Sequence, residues 1–314
     1  MSNRDILIVG ARRSGTTFTG KMMSLSKNIS YLQEPFNYEK GLKKMNINGW
    51  YPYFKKDNIN KKQKEILHKL FSLEKADFKV SLGDAKTDNF EYNVSKKKLI
   101  KNIFANYSQE HLLQRIGRLI IKNSTTSSFI KAKYNPWHKK LLVKDPLASL
   151  ASNYLSKEFD LNVLVIVRHP AAFFESMKRK NWGVPPEDFL NQNELISDYL
   201  GEIAEKLKKA NNRKEYAILE WLSVNTVLLN YLNKNNRFHV IKHEDICKNP
   251  VKTFKKLYSK FDIPFTEKIE NKIKRKVNSN KCEAWRNRLD ASEIQWVKSQ
   301  TYDLAKEFYS DLEW

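Results

Sequence analysis

The sequence predicts an α/β protein: a mostly parallel central sheet flanked by helices in a three-layer sandwich. Three observations predict it. Short apolar runs recur at 6–9, 29–32, 141–144, 161–167 and 238–241. Stretches with helical spacing of apolar residues separate several of them, the alternation expected of an α/β layer. The run LNVLVIV at 161–167 is apolar throughout, as befits a central strand covered on both faces.

Taken in order, Ile6 to Val9 reads as a buried strand stopped by Gly10, and Thr16 to Ser26 as the helix after it. Ile29 to Leu32 reads as a short second strand. Residues 37 to 135 are rich in Lys and Asn, with helical stretches at Lys61 to Leu73 and Gln109 to Ile121 among long surface loops. This insert is expected to form the acceptor side of a site. Leu141 to Lys144 is a third strand, and a helix is expected from Pro146, since proline is tolerated in a first helical turn. The 161–167 strand ends at Arg168-His169-Pro170, and a helix follows from Ala171 to Lys180. Leu219, Leu222, Leu229 and Leu232 share one helical face, widened by Trp221 and Leu228. Phe238 to Ile241 is a last strand, and Pro250 to Phe261 and Ser292 to Phe308 read as helices. Neither a linker nor a repeat interrupts the pattern, so residues 1–314 read as a single domain.

The chain of 314 residues is 41% hydrophobic and 12% aromatic, enough for a substantial core. Its 57 Lys and Arg against 35 Asp and Glu give a net charge of +22. That balance predicts acidic partners: nucleotides, nucleic acid, anionic lipid or anionic polysaccharide. The two cysteines, Cys247 and Cys282, are too few for a disulfide framework and suggest a reducing compartment. The start, MSNRDILIVG, resembles neither a signal peptide nor an anchor. The expectation is a cytoplasmic protein with room for peripheral contact with an anionic membrane.

VGARRSGTTF, from Val9 to Phe18, carries the chemistry. Gly10 and Gly15 have the spacing of G-x-x-x-x-G between a strand and a helix. In that setting the backbone amides of Ser14 to Thr17 converge on an anion at a helix start. An ATP-binding loop continues with a lysine that reaches the β- and γ-phosphates, then a hydroxyl that holds Mg²⁺. Here Thr16 and Thr17 follow instead, and Arg13 offers a cation from the other side. A donor that ends in a sulfuryl group rather than a γ-phosphate suits such a cradle, and needs no metal in principle.

RRSGTTF resembles the 5′-phosphosulfate loop of the sulfotransferases that use 3′-phosphoadenosine 5′-phosphosulfate (PAPS), whose pattern is a basic residue, S-G-T-T and an aromatic or apolar residue. The resemblance implies a P-loop NTPase-like fold. It also implies donor contacts from Arg12, Arg13, Ser14, Gly15, Thr16, Thr17 and Phe18, with 3′,5′-adenosine bisphosphate (PAP) as product. Many relatives carry Lys where Arg13 stands. The family also has an Arg at the end of a central strand and a Ser eight residues on, for the 3′-phosphate. VLVIVRHPAAFFESMKR offers Arg168 and Ser176 at that spacing. KCEAWRNRL resembles a segment that folds over the nucleotide, which adds Arg286, with Lys281 and Arg288 as alternatives. VIKHEDICKNP resembles the family's late strand and acidic turn, where Glu244 and Asp245 are expected to cap or pair. The resemblance covers residues 4–36 and about 141–300.

An acceptor hydroxyl needs a base. Small-molecule sulfotransferases have a histidine two residues after a lysine, but after Lys144 that position is Pro146. Relatives that act on carbohydrates or protein tyrosine use a glutamate after the first helix, and YLQEPFN places Glu34 there, with Pro35 to stiffen the turn. Glu34 is the expected base, with Asp145 and His169 as alternatives. Arg13 and Lys144 are the expected electrostatic partners of the leaving group. The expected acceptor is a sugar or glycolipid hydroxyl. Trp50, Tyr51, Tyr53, Tyr134, Trp137 and His138 of the insert are candidates for a sugar-stacking surface, although core packing accounts for most such residues. Two other functions remain open: a P-loop kinase of a small metabolite, for which Lys21 comes a helical turn too late, and a basic nucleic-acid-binding protein, for which no recognisable motif is present.

Overall fold

Five parallel strands pair in the order β2-β3-β1-β4-β5: β1 (Ile6–Val9), β2 (Ile29–Gln33), β3 (Lys140–Lys144), β4 (Asn162–Val167) and β5 (Phe238–Lys242). They are the five strands expected from sequence. The structure, a computed structural model, describes residues 4–43, 45, 49–79, 124–276 and 282–314. The helix expected at Gln109 to Ile121 and the candidate Lys281 lie outside the described residues.

Strand alternation splits the core in two. Leu7, Val9, Val163, Val165 and Val167 face one layer, which includes Phe173, Trp221 and Val224. Ile6, Ile8, Leu142, Leu164 and Ile166 face the other, with Met23, Phe254 and Tyr258. Both faces are covered, so β1 and the Val163–Val167 stretch of β4 are apolar at successive positions and not only at alternate ones. Each fully buried aliphatic or aromatic side chain here contributes about 1.5–3 kcal/mol relative to exposure. The insert's Leu42, Tyr51, Leu67 and Leu70 join the first cluster, so its described part packs on the same core as the sheet.

Several helix bounds differ from expectation, each for a local reason. Helix α1 (Thr16–Met23) stops early, where the i→i−4 ladder gives way to a tighter bond from Leu25 N–H to the Met22 carbonyl. Pro146 opens only a 3₁₀ turn, Pro146–Ala148, capped by Asp145, and α2 (Ser152–Glu158) starts later. Helix α3 (Pro170–Lys178) follows β4 as expected. Helix α4 (Arg213–Lys234) begins six residues before Leu219, because Asn212 accepts hydrogen bonds from the amides of Lys214 and Glu215. Helix α5 (His243–Lys248) leaves β5 directly. Cys247 and Cys282 are joined by a disulfide, which corrects the expectation of two uncrosslinked thiols. Among the described residues no helix is long and apolar enough to cross a membrane.

The chain leaves β1 through Gly10 at φ +148°, where a side-chain methyl would run into the Ile166 carbonyl of β4. Only glycine lets these backbones pass so closely. Gly10→Ala is therefore expected to lose ~2–4 kcal/mol of stability, read from the urea unfolding midpoint.

Candidate active site

Parallel strands all end at the same edge, and here each strand end delivers a polar group there. The 10–17 loop follows β1, Glu34 follows β2, Lys144 closes β3, Arg168 follows β4 and His243 follows β5. In the order β2-β3-β1-β4-β5 the chain leaves β1 toward β2 on one side and leaves the neighbouring β3 toward β4 on the other. That is the switch point where open α/β sheets bind ligands. Above it lies a cleft of about 1340 Å³.

The loop is wound for an anion. Arg13 has φ 67° and Gly15 φ 93°, both left-handed, and α1 begins at Thr16. A left-handed arginine is uncommon, and such strain concentrates at working sites. At Gly15 a methyl would collide with the His243 ring, so this position needs glycine for space as well as for its dihedral. Gly15, Thr16, Thr17 and Phe18 border the cleft. The Ser14 hydroxyl is buried and has no hydrogen-bond partner among the described residues.

The second expected anchor opens onto the same cleft. Arg13 Nε donates to Ser176 Oγ at 3.1 Å, and Arg168 Nη1 donates to the Arg13 carbonyl at 2.9 Å. The two elements, some 160 residues apart in sequence, are thus in direct contact. Trp221 Nε1 donates to the Arg168 carbonyl and fixes the end of β4. Arg168 Nε is buried without a partner among the described residues. Burial holds the Arg168 pKa below the usual arginine value despite Glu244 and Glu175 nearby, and Arg13 is lowered too, by burial and by Arg179. Both remain cations at neutral pH. Half-buried guanidinium groups with unspent donors favour an anion.

Arg12 behaves differently from its neighbour. Its guanidinium forms a two-pronged pair with Glu220, both bonds 2.8 Å, and Tyr51 donates to the same carboxylate. Burial opposes the charge, but Glu220 outweighs it and raises the Arg12 pKa. Arg12 borders the cleft with its charge already committed, so it braces the loop where a direct donor contact was expected.

Glu34 has φ 48°, another left-handed residue at the cleft. Lys144 Nζ bonds to its carboxylate and also to Thr17 Oγ1, the latter at 2.9 Å. The ammonium beside the loop thus comes from β3, where ATP-binding loops supply their own. The Glu34 turn is held by Asp145, which accepts from the amides of Phe36 (2.6 Å) and Leu147 (2.9 Å). Asp145 is fully buried and both oxygens are occupied, so it positions the turn and is not placed to meet an acceptor. Burial, with Glu34's charge, pushes its pKa up to about 7, against the pull of the two amides. His169 does not border the cleft. It is buried, stacks on Trp285 at 4.9 Å, and caps α3 through Nδ1. Burial lowers its pKa to about 3, so the ring is neutral.

The C-terminal segment supplies a different arginine from the one expected. Arg286 donates to the carbonyls of Glu313 and Trp314, which ties down the chain end. Arg288 borders the cleft and pairs with buried Glu175 at 3.1 Å.

A family model described as the sulfotransferase family matches residues 5–267. The chain belongs to the sulfotransferase family. No curated protein sequence matches it. Among solved structures it is similar to the sulfotransferase domain from the curacin biosynthetic pathway, at 16% identity, TM-score 0.45, covering 95% of this chain and 97% of that one. It is also similar to the sulfotransferase domain of the Synechococcus PCC 7002 olefin synthase, at 14% identity, TM-score 0.46, covering 98% and 94%. A third is mouse sulfotransferase SULT7A1 complexed with PAP, at 12% identity, TM-score 0.39, covering 99% and 87%.

Sequence reasoning missed three features of this sulfotransferase site. His243 packs on Gly15, and burial, then Arg168, lowers its pKa to about 3. Its position directly after a strand was the available signal. Glu220 stands alone among apolar residues of α4, a pattern that marks a buried charge with a partner. Trp182 borders the cleft beside Arg12, next to Trp50, an expected candidate whose ring centre lies 4.7 Å from the Arg12 guanidinium. Of the other insert aromatics, Tyr51 and Tyr53 are core residues, Tyr134 and Trp137 are exposed, and His138 bonds to Ser30.

Because the Asp145 carboxyl is raised in the fold, its contribution to stability is whole below about pH 4 and is lost as pH climbs toward 7. Asp145→Asn, neutral throughout, is expected to show its largest stability deficit near pH 4. The deficit should shrink toward pH 7 by at most about 1.4 kcal/mol per pH unit, read from urea unfolding across that range. A deficit independent of pH would mean that Asp145 titrates normally.

Proposed function

We propose that this sulfotransferase moves a sulfuryl group from PAPS to a hydroxyl of a carbohydrate or glycolipid acceptor. One observation carries the reading: the start of the loop helix, the Arg13–Ser176–Arg168 contact and Glu34, held from behind by buried Lys144, all meet at one cleft. The orphaned Ser14 hydroxyl and Arg168 Nε lie in these same elements and suit an anionic ligand. Eight Lys or Arg against three Glu border the cleft, which suits a donor with several negative charges. Trp50 and Trp182 support a sugar acceptor, as flat apolar plates beside polar groups.

When bound, PAPS supplies an activated sulfuryl group whose leaving group is a phosphate. Around it, the amides of Gly15 to Thr17 take the 5′-phosphosulfate, while Arg168 and Ser176 take the 3′-phosphate. The Glu34 carboxylate accepts the proton of the acceptor hydroxyl, whose oxygen then attacks sulfur as the sulfur–oxygen bond to phosphate breaks. Arg13, Lys144 and the loop amides stabilise the charge that grows on the phosphate. Lys144 also orients the base, because its ammonium joins Glu34 to Thr17.

Calorimetry in the presence of a metal chelator is expected to show binding of 3′,5′-adenosine bisphosphate, at least tenfold weaker in Arg168→Ala. Binding of ATP only with Mg²⁺ would overturn the assignment in favour of a kinase. Glu34→Gln is expected to keep donor-product affinity within about twofold and to lower turnover on the order of 10²-fold, the usual scale for a positioned base. Turnover is followed by mass spectrometry, as added sulfate on sugar acceptors offered with PAPS. Sulfate that appears on a tyrosine peptide, and on no sugar, would reassign the acceptor and leave the donor reading intact.

A further inference from the structure

Beside the phosphate loop, where His243 borders the cleft next to Gly15, lies a group of side chains given no role in the proposed reaction. His243 and Cys247 occupy one face of α5, four residues apart, and Cys282 meets them from the C-terminal segment. Nδ1 of His243 lies 3.8 Å from Cys247 Sγ and 3.9 Å from Cys282 Sγ. All three ligating atoms fall within 4.8 Å of one another. On a tetrahedral zinc with bonds of about 2.1 Å to nitrogen and 2.3 Å to sulfur, the nitrogen–sulfur edge is roughly 3.6 Å. The nitrogen-to-sulfur spacing is therefore already close to that of a metal centre.

We propose that, once the Cys247–Cys282 bridge is reduced, His243, Cys247 and Cys282 form a site for a soft divalent metal ion of the zinc type. The Cα atoms of the two cysteines are 6.3 Å apart, a separation from which the side chains reach either each other or one shared ion. Two thiolates and one imidazole are ligands that zinc prefers. Both cysteines are buried, at 7% and 5% exposure, which protects a thiolate centre from exchange. The charges suit the neighbourhood as well. Two thiolates neutralise the dication, so the occupied site adds no net positive charge beside Arg168. Among the described residues no fourth ligand completes the set, and the fourth position falls to water or a small anion.

Reduction uses one equivalent of a dithiol, which leaves as its own disulfide and delivers two electrons and two protons to the two sulfurs. Metal binding then releases both thiol protons, and the two sulfurs and the Nδ1 lone pair donate to the ion. In either state the cluster ties the same two parts together. One is His243, whose ring presses on Gly15 of the loop. The other is the segment from Cys282 through the Ala284–Asn287 turn, which brings Ala284 and Arg288 to the cleft. The metal would keep that segment on the loop under conditions that open the disulfide.

The test is a metal titration of the whole protein, reduced with a dithiol and desalted without oxygen. Zn²⁺ is titrated against a chromophoric chelator, and Co²⁺ reports geometry by its visible and near-ultraviolet bands. The expected result is one ion per chain, with thiolate-to-cobalt charge transfer and the intense visible bands of a tetrahedral centre. The oxidised protein should bind at least 100-fold more weakly, a comparison that needs no variant. Cys282→Ser and His243→Asn should each weaken binding tenfold or more. The proposal is overturned if the reduced protein takes up no stoichiometric metal, if oxidised and reduced protein bind alike, or if uptake ignores both substitutions. Donor binding is measured separately on the oxidised protein, so failure of either reading leaves the other standing.

Discussion

Everything at the cleft depends on five parallel strands ending at one edge. A parallel sheet has no choice about this: each crossover returns the chain to the far side, and every strand ends in register with its neighbours. Ile8 pairs with Lys144 and Val9 with Val165, so the β1 loop, the β3 lysine and the β4 arginine emerge side by side. The sheet buries both faces, which keeps that edge rigid. A site spread over residues 13, 34, 144, 168 and 243 is local in space because pairing makes it so.

The adjacent arginines illustrate how the fold sorts identical side chains. Arg12 turns inward to Glu220 and Tyr51, where a buried, doubly bonded pair holds the loop against α4. Breaking such a pair leaves an unpaired buried charge, at a cost of about 3–5 kcal/mol. Arg13 is wound left-handed and points the other way, to Ser176 and the cleft. One arginine stabilises the loop and frees the other to meet an anion. Lys144 has a comparable double task, since it orders Glu34 and also lends its charge to the start of α1.

Much of this was legible in the chain. The strand–glycine–helix pattern marked the loop, the unbroken apolar run marked β4, and the spacing of Arg168 and Ser176 announced a second anchor. Those signals are local: periodicity, turn chemistry and short motifs act over a few residues. Glu34 was legible from its place after the first helix and before Pro35. That Asp145 and His169 are buried while Glu34 reaches the cleft was not legible, because burial depends on segments far apart in the chain. Arg286 and Arg288 are two residues apart in one segment, and nothing in their spacing says which meets the cleft. A 3₁₀ turn and two C-terminal carbonyls decide it.

The sequence by itself determined the family, the five strands and the strand–loop–helix setting of residues 6–23, since each is written in residues close to one another along the chain. Tertiary structure alone decided the partner of Arg12, the bridge between cysteines 35 residues apart and the contact of His243 with Gly15. These are pairings between distant segments. Their energies come from burial and close approach, which exist only after the sheet has brought the strand ends together.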